Sequence, residues 1–318
     1  MAPIMTTTLS QTVATILPIL LIIGLGVIIR LSGLLGEESI DALKQLIVKV
    51  ALPAVLFRSF LGISFSSDYI VIFILVPAVC FFLLAIGYLL RRLLPVDSRY
   101  TPYLSTGFEF GMVGITLYSA AYGIENAGVI GVVGLTHELF IWFVFVTLLR
   151  GEAMETGKLS ETLRSFITSP VILAIFAGVF FNLLGLGGWM EEALLPASLL
   201  RTLGYLGDLI IPLILIIIGF GIRLSVRGAR EASLLVLVRF ALVLTLALVI
   251  NRVYLRELGP LVEAAFFTFL ILPPPYIVPL FIPKERSGEI AYANNVLSLY
   301  TLLSVAAFIV YVSLNSPA

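Results

Sequence analysis

Apolar residues fall in ten long blocks separated by short polar connections. The blocks run approximately Ser10 to Leu31, Ile40 to Phe60, Tyr69 to Leu90, Pro102 to Tyr122, Asn126 to Leu149, Pro170 to Leu186, Leu203 to Ile222, Ala232 to Leu255, Leu261 to Ile282 and Ile290 to Leu314. At about 1.5 Å of rise per residue, a helix of about 20 residues crosses a hydrocarbon core of about 30 Å. The pattern predicts an all-α integral membrane protein of ten transmembrane helices with almost nothing outside the bilayer.

Composition points the same way. The 318 residues are 60% hydrophobic and 12% charged, against about a quarter charged in an ordinary soluble domain. Only Arg150 to Ser169, carrying charge of both signs, reaches the length of a central linker. It divides a single transporter domain over 1–318 into a first repeat at 10–149 and a second at 170–314. No Lys or Arg precedes the first block and no small-residue cleavage site follows it, so that block is expected to stay as a helix.

Basic residues near helix ends stay on the cytoplasmic side of a membrane. One set of connections holds Arg30, Lys44, Arg91, Arg92, Arg99, Arg150, Lys158, Arg164, Arg223, Arg227, Arg230, Lys284 and Arg286; the other holds Arg58, Arg201, Arg252 and Arg256. The first set is therefore expected in the cytoplasm and both termini outside the cell membrane. Five spans per half force the second half to enter upside down, the inverted-repeat plan of many secondary transporters. Helices two and seven are then equivalents, and each carries a central proline, Pro53 and Pro212.

Helices four and nine are the next equivalents. Helix four reads GFEFGMVGITLYSAAYG, with Gly107, Gly111 and Gly114 around Glu109; helix nine reads FLILPPPYIVPLFIP. Pro273, Pro274 and Pro275 cannot lie in a continuous helix, because each lacks the N–H and clashes with the preceding turn. Freed backbone groups are tolerated in a membrane only where they line a cavity or are buried in protein. Two breaks meeting near the midplane would aim half-helix N-termini at a bound anion. The candidate substrate-binding residues are Glu109, Phe110, Gly111, Gly114, Thr116, Pro273, Pro274, Pro275, Tyr276 and Pro53.

Three ionisable groups fall near block centres: Lys49, Glu109 and Glu138. A central charge costs about 2.5–3.5 kcal/mol on insertion scales, so each is expected to face a polar interior with a partner. Pairing of Lys49 with Glu109 or Glu138 is the natural expectation, and the three are candidates for ion coupling, Glu109 first. His137 adjoins Glu138, but neighbours on a helix point about 100° apart, and a satisfied histidine is the simpler reading. Arg239 is expected to snorkel to the cytoplasmic surface. Asp208, Asn294 and Asn295 are expected at cavity rims.

No phosphate loop, HExxH or GxSxG pattern is present, so neither an enzyme nor an ATP-driven pump is expected. Cys80 is the single cysteine and His137 the single histidine, which leaves no basis for a disulfide framework, a metal site or a cofactor. Zero formal net charge argues against nucleic acid as a partner. The expected partners are a small-molecule substrate, membrane lipid, a coupling proton or sodium ion, and a second copy of the chain in a homodimer.

Four stretches carry a family resemblance: VALPAVLFRSF at Val50 to Phe60, GFEFGMVGITLYSAAYGIENAG at Gly107 to Gly128, LGDLIIPLILIIIGFGIRL at Leu206 to Leu224, and the proline-rich helix nine followed by ANNVLSLYTLLS at Ala293 to Ser304. Their order and spacing resemble the auxin efflux carrier family, bacterial permeases related to the plant auxin carriers. The resemblance implies a ten-helix inverted repeat with crossed helices four and nine, elevator-type alternating access, and organic acids such as auxin, malate or malonate as substrates. Bile-acid symporters and sodium–proton antiporters have similar folds. Where the family has an anion-contacting Asn and a later Pro in helix four, this chain has Glu109 and Thr116. A Glu there repels a carboxylate unless it is protonated or paired, and it suits proton coupling. A cation–proton antiporter is the alternative, and a non-transporting receptor or assembly subunit the lesser one.

Overall fold

The computed structural model describes residues 2–63, 69–93, 98–152, 164, 166–222, 225 and 228–315. The expected linker at 150–169 lies largely outside these, as do Arg223 and Arg227. No strand occurs among the described residues. The helices are α1 (Ala2–Ser32), α2 (Glu37–Leu46), α3 (Leu52–Gly62), α4 (Tyr69–Leu93), α5 (Thr101–Ser105), α6 (Ile115–Tyr122), α7 (Ala127–Phe140) and α8 (Val146–Glu152). They continue with α9 (Pro170–Leu183), α10 (Gly187–Glu192), α11 (Leu194–Asp208), α12 (Ile210–Gly221), α13 (Ala229–Ile250), α14 (Pro260–Leu270) and α15 (Ser287–Leu314).

Among the described residues, five helical runs are long and apolar enough to cross a membrane: Ile70–Leu93, Ile124–Glu152, Leu194–Gly221, Ala229–Leu255 and Ser287–Leu314. Leu17–Ser32, Pro170–Leu183 and Pro260–Leu270 are apolar but shorter. The chain is a multi-pass, all-helical membrane protein.

Two expectations on helix extent need correction. The seventh helical run begins at Leu194 rather than Leu203, because Ser198 and Thr202 satisfy their hydroxyls on the carbonyls of Leu194 and Ser198 and so do not interrupt it. The ninth ends as an α-helix at Leu270, and beyond the prolines it resumes only as the 3₁₀ turn Val278–Phe281. The second α half-helix expected there is not formed.

Pro53 and Pro212 each disturb the backbone one turn upstream, as a residue without an N–H must. Before Pro53 the helix widens into the π segment Ile47–Ala51, where the Leu52 N–H reaches back to the Ile47 carbonyl. Before Pro212 the run is interrupted at Leu209, between α11 and α12.

The two halves exchange partners. Helix α1 packs along α12, and α9 packs along α3; within the halves, α4 packs on α7 and α13 on α15. The α1–α12 crossing is close enough that a Cβ on Gly26 would collide with the Ile216 carbonyl, and one on Gly219 with that of Ile23. At the α9–α3 crossing, a Cβ on Gly178 would lie 2.7 Å from the Phe57 carbonyl oxygen. Small residues let helix backbones touch where lipid offers no hydrophobic drive for association.

Candidate functional site at the crossing of two broken helices

Helix four breaks after Ser105. Thr106 is extended, Gly107 has φ +68° and Glu109 has φ −78°, ψ 70°; the helix restarts through the π segment Phe110–Gly114 into α6. Gly107 is required twice over. Its φ lies in the left-handed region that side chains resist, and a Cβ there would meet Pro275 Cγ at 2.9 Å. Gly114 is also closed, with Leu272 Cδ1 2.7 Å from a Cβ position, whereas Gly111 meets nothing nearer than Leu52 Cδ1 at 3.9 Å.

The two breaks are joined at Glu109. Its N–H donates to the Pro273 carbonyl at 2.8 Å, and its Oε2 accepts the Tyr276 N–H at 2.8 Å. Glu109 therefore satisfies both a carbonyl and an amide freed by the three prolines. Its carboxylate takes the place at the restarting backbone where an anion was expected. Tyr276 extends the link outward, its hydroxyl lying 2.7 Å from Thr301 Oγ1 on α15.

Arg239 stands beneath the crossing, and here the expectation of snorkelling is overturned. Its side chain is 1% exposed. Nε donates to the Ser105 carbonyl at 3.0 Å, Nη2 to that of Gly107 at 2.7 Å and Nη1 to that of Leu272 at 3.4 Å. The guanidinium carbon also lies 4.3 Å from the Tyr300 ring centroid and 5.3 Å from that of Phe108. The carbonyls released where helices four and nine end are partners a buried cation can use, so solvation at the surface is not needed. His137 completes the support: its Nε2 accepts the Phe108 N–H at 3.0 Å.

The other candidates divide. Phe110 is buried, its ring packed where a Cβ on Gly134 of α7 would sit. Thr116 is buried with no hydrogen-bond partner for its hydroxyl among the described residues. Pro53 lies outside the crossing, though the adjoining Leu52 faces Gly111. Glu138 accepts from Trp142 Nε1 at 3.0 Å, one turn along its own helix. Lys49 is exposed and donates to Gln45 Oε1 at 3.1 Å; the expected pair with Glu109 or Glu138 is not formed.

Two cavities lie at opposite ends of the α2–α3 and α11–α12 runs, and one of them reaches the crossing at Tyr276. One, of about 270 Å³, lies between Glu37, Lys44 and Phe220 on one wall and Tyr276, Asn294 and Thr301 on the other. The second, of about 510 Å³, lies beside Arg58, Glu125, Arg201 and Asp208. Asn294 lines the first and Asp208 the second. Asn295 instead clamps Ser225, accepting its N–H at 2.7 Å and donating to its carbonyl at 2.9 Å. No cluster of three or more His, Cys, Asp or Glu side chains able to hold a metal occurs among the described residues.

No family model matches the chain. It is similar to an uncharacterized transporter of Methanothermobacter thermautotrophicus, 29% identical over 231 residues that cover 69% of this chain and 70% of the relative. An uncharacterized transporter of Methanocaldococcus jannaschii is 24% identical over 218 residues, covering 65% and 68% respectively.

Proposed function

We propose that the chain is a secondary transporter of a small organic anion that works by elevator-type alternating access. One observation carries the reading: a cavity that reaches the bridged pair of broken helices at Tyr276, with a second cavity at the opposite end of the α2–α3 and α11–α12 runs. Both relatives bear the name transporter. The exchange of partners between halves, α1 on α12 and α9 on α3, supports a ten-span inverted repeat. In that plan α1, α2–α3, α9 and α11–α12 form a scaffold, and the crossing moves against it with α4, α7, α13 and α15. In this reading the Lys44 cavity faces the cytoplasm and both termini lie outside the cell membrane, which the distribution of basic residues supports.

Glu109 supplies the coupling. As a carboxylate it holds the Tyr276 N–H by a charge-assisted hydrogen bond, about twice as strong as a neutral one. Protonation weakens that link between the breaks and removes the charge that opposes a substrate carboxylate. Proton binding and anion binding then favour each other, which is the requirement for co-transport.

The same carboxylate favours a second reading, a cation–proton antiporter in which a sodium ion and a proton compete for Glu109. Flux in proteoliposomes separates the two. Uptake of malate or indole-3-acetate driven by an imposed pH gradient supports the first, and sodium flux without carboxylate flux supports the second.

A further inference from the structure

The larger cavity, of about 510 Å³, is bounded by Arg58, Arg201 and Gly204, with Glu125, Glu191 and Asp208 around them. On the face assigned to the exterior, basic residues are scarce: four in all, and two of them line this one space. Arg58 comes from α3 and lies across α11 directly over Gly204, where a Cβ would stand 2.6 Å from its Nη1. Arg201 is three residues before Gly204, on the same face of α11, and lines the same cavity as Arg58. Neither arginine has an acidic partner among the described residues, although three carboxylates share the cavity.

We infer that this cavity is a capture site for a monocarboxylate, held by the guanidinium groups of Arg58 and Arg201 before it passes to the crossing; the handover rests on the transport reading above. Planar forks suit carboxylates, offering two parallel N–H donors each. Glu125, Glu191 and Asp208 set the class of ligand. Their charges oppose a dianion more than a monoanion, so a monocarboxylate binds in preference to a dicarboxylate.

The site is tested on the whole protein in lipid nanodiscs by modification with hydroxyphenylglyoxal, which labels exposed arginines, read by mass spectrometry. The probes are indole-3-acetate and malate at constant ionic strength, with exposed Arg252 as the internal control. At ten times its dissociation constant, indole-3-acetate should slow labelling of Arg58 and Arg201 by about tenfold, the mass-action factor, and leave Arg252 unchanged. Malate should protect only at higher concentration. Protection by neither acid, or of only one arginine, overturns the site; stronger protection by malate overturns the monocarboxylate assignment. Protection without carboxylate flux in proteoliposomes would leave the site standing and remove only the handover, whereas flux without protection removes the site alone.

Discussion

Replacing Arg239 with leucine should strip the crossing of its cation while keeping a side chain that fills much of the space. Two of the three hydrogen bonds lost are well formed, at 2.7 and 3.0 Å, and the third is long, at 3.4 Å. Hydrogen bonds to charged groups contribute about 1.5–3 kcal/mol each, which puts the two good ones at roughly 3–6 kcal/mol. Between transmembrane helices the measured average is lower, about 0.6 kcal/mol per bond, and three bonds at that value still give roughly 2 kcal/mol. With roughly 2–4 °C per kcal/mol for a chain of this order of size, the melting temperature in detergent should fall by roughly 4–24 °C. Arg239→Lys should fall between the variant and the parent, since an ammonium keeps the charge but lacks the fork that reaches three carbonyls. Melting is followed by intrinsic fluorescence on purified protein. A leucine variant within about 2 °C of the parent would refute the assignment of Arg239 as the support of both breaks.

Glu109→Gln keeps an acceptor for the Tyr276 N–H but not the charge, so the protein should remain folded and extractable while transport loses its dependence on pH between about 5 and 8; an unchanged pH profile removes Glu109 from coupling. Gly107→Ala should destabilise by about 1–2 kcal/mol or more through its left-handed φ and its contact with Pro275, whereas Gly111→Ala should stay within about 0.5 kcal/mol; thermal melts compare the pair directly. Gly219→Val should prevent the close α1–α12 approach and show as loss of monodisperse protein on size exclusion. Lys49→Gln should leave flux at the parent rate, since its amine meets Gln45 and not the acids at the crossing.

Much of the fold was written in the chain as hydrophobic length. The breaks were equally plain, because three consecutive prolines and a cluster of glycines leave a helix no backbone alternative. Lys49 and Arg239 were misread for one shared reason: position along a block gives depth but not direction. Arg239 is bound to groups 134, 132 and 33 residues away, contacts that no local pattern encodes. A signal was nonetheless present. Arg239 is the one charged residue between Ala232 and Ile250, and two helices interrupted within apolar blocks leave carbonyls that call for a cation. The Glu138–Trp142 bond could also have been read from its spacing of four.

Carrier-mediated flux through this crossing is measured by uptake of radiolabelled indole-3-acetate and malate into proteoliposomes, with and without an inward proton gradient. Transport coupled through Glu109 predicts saturable uptake of at least one acid, accelerated by the gradient in the parent and not in Glu109→Gln. Uptake no faster than in protein-free vesicles for both acids, with or without the gradient, would contradict it.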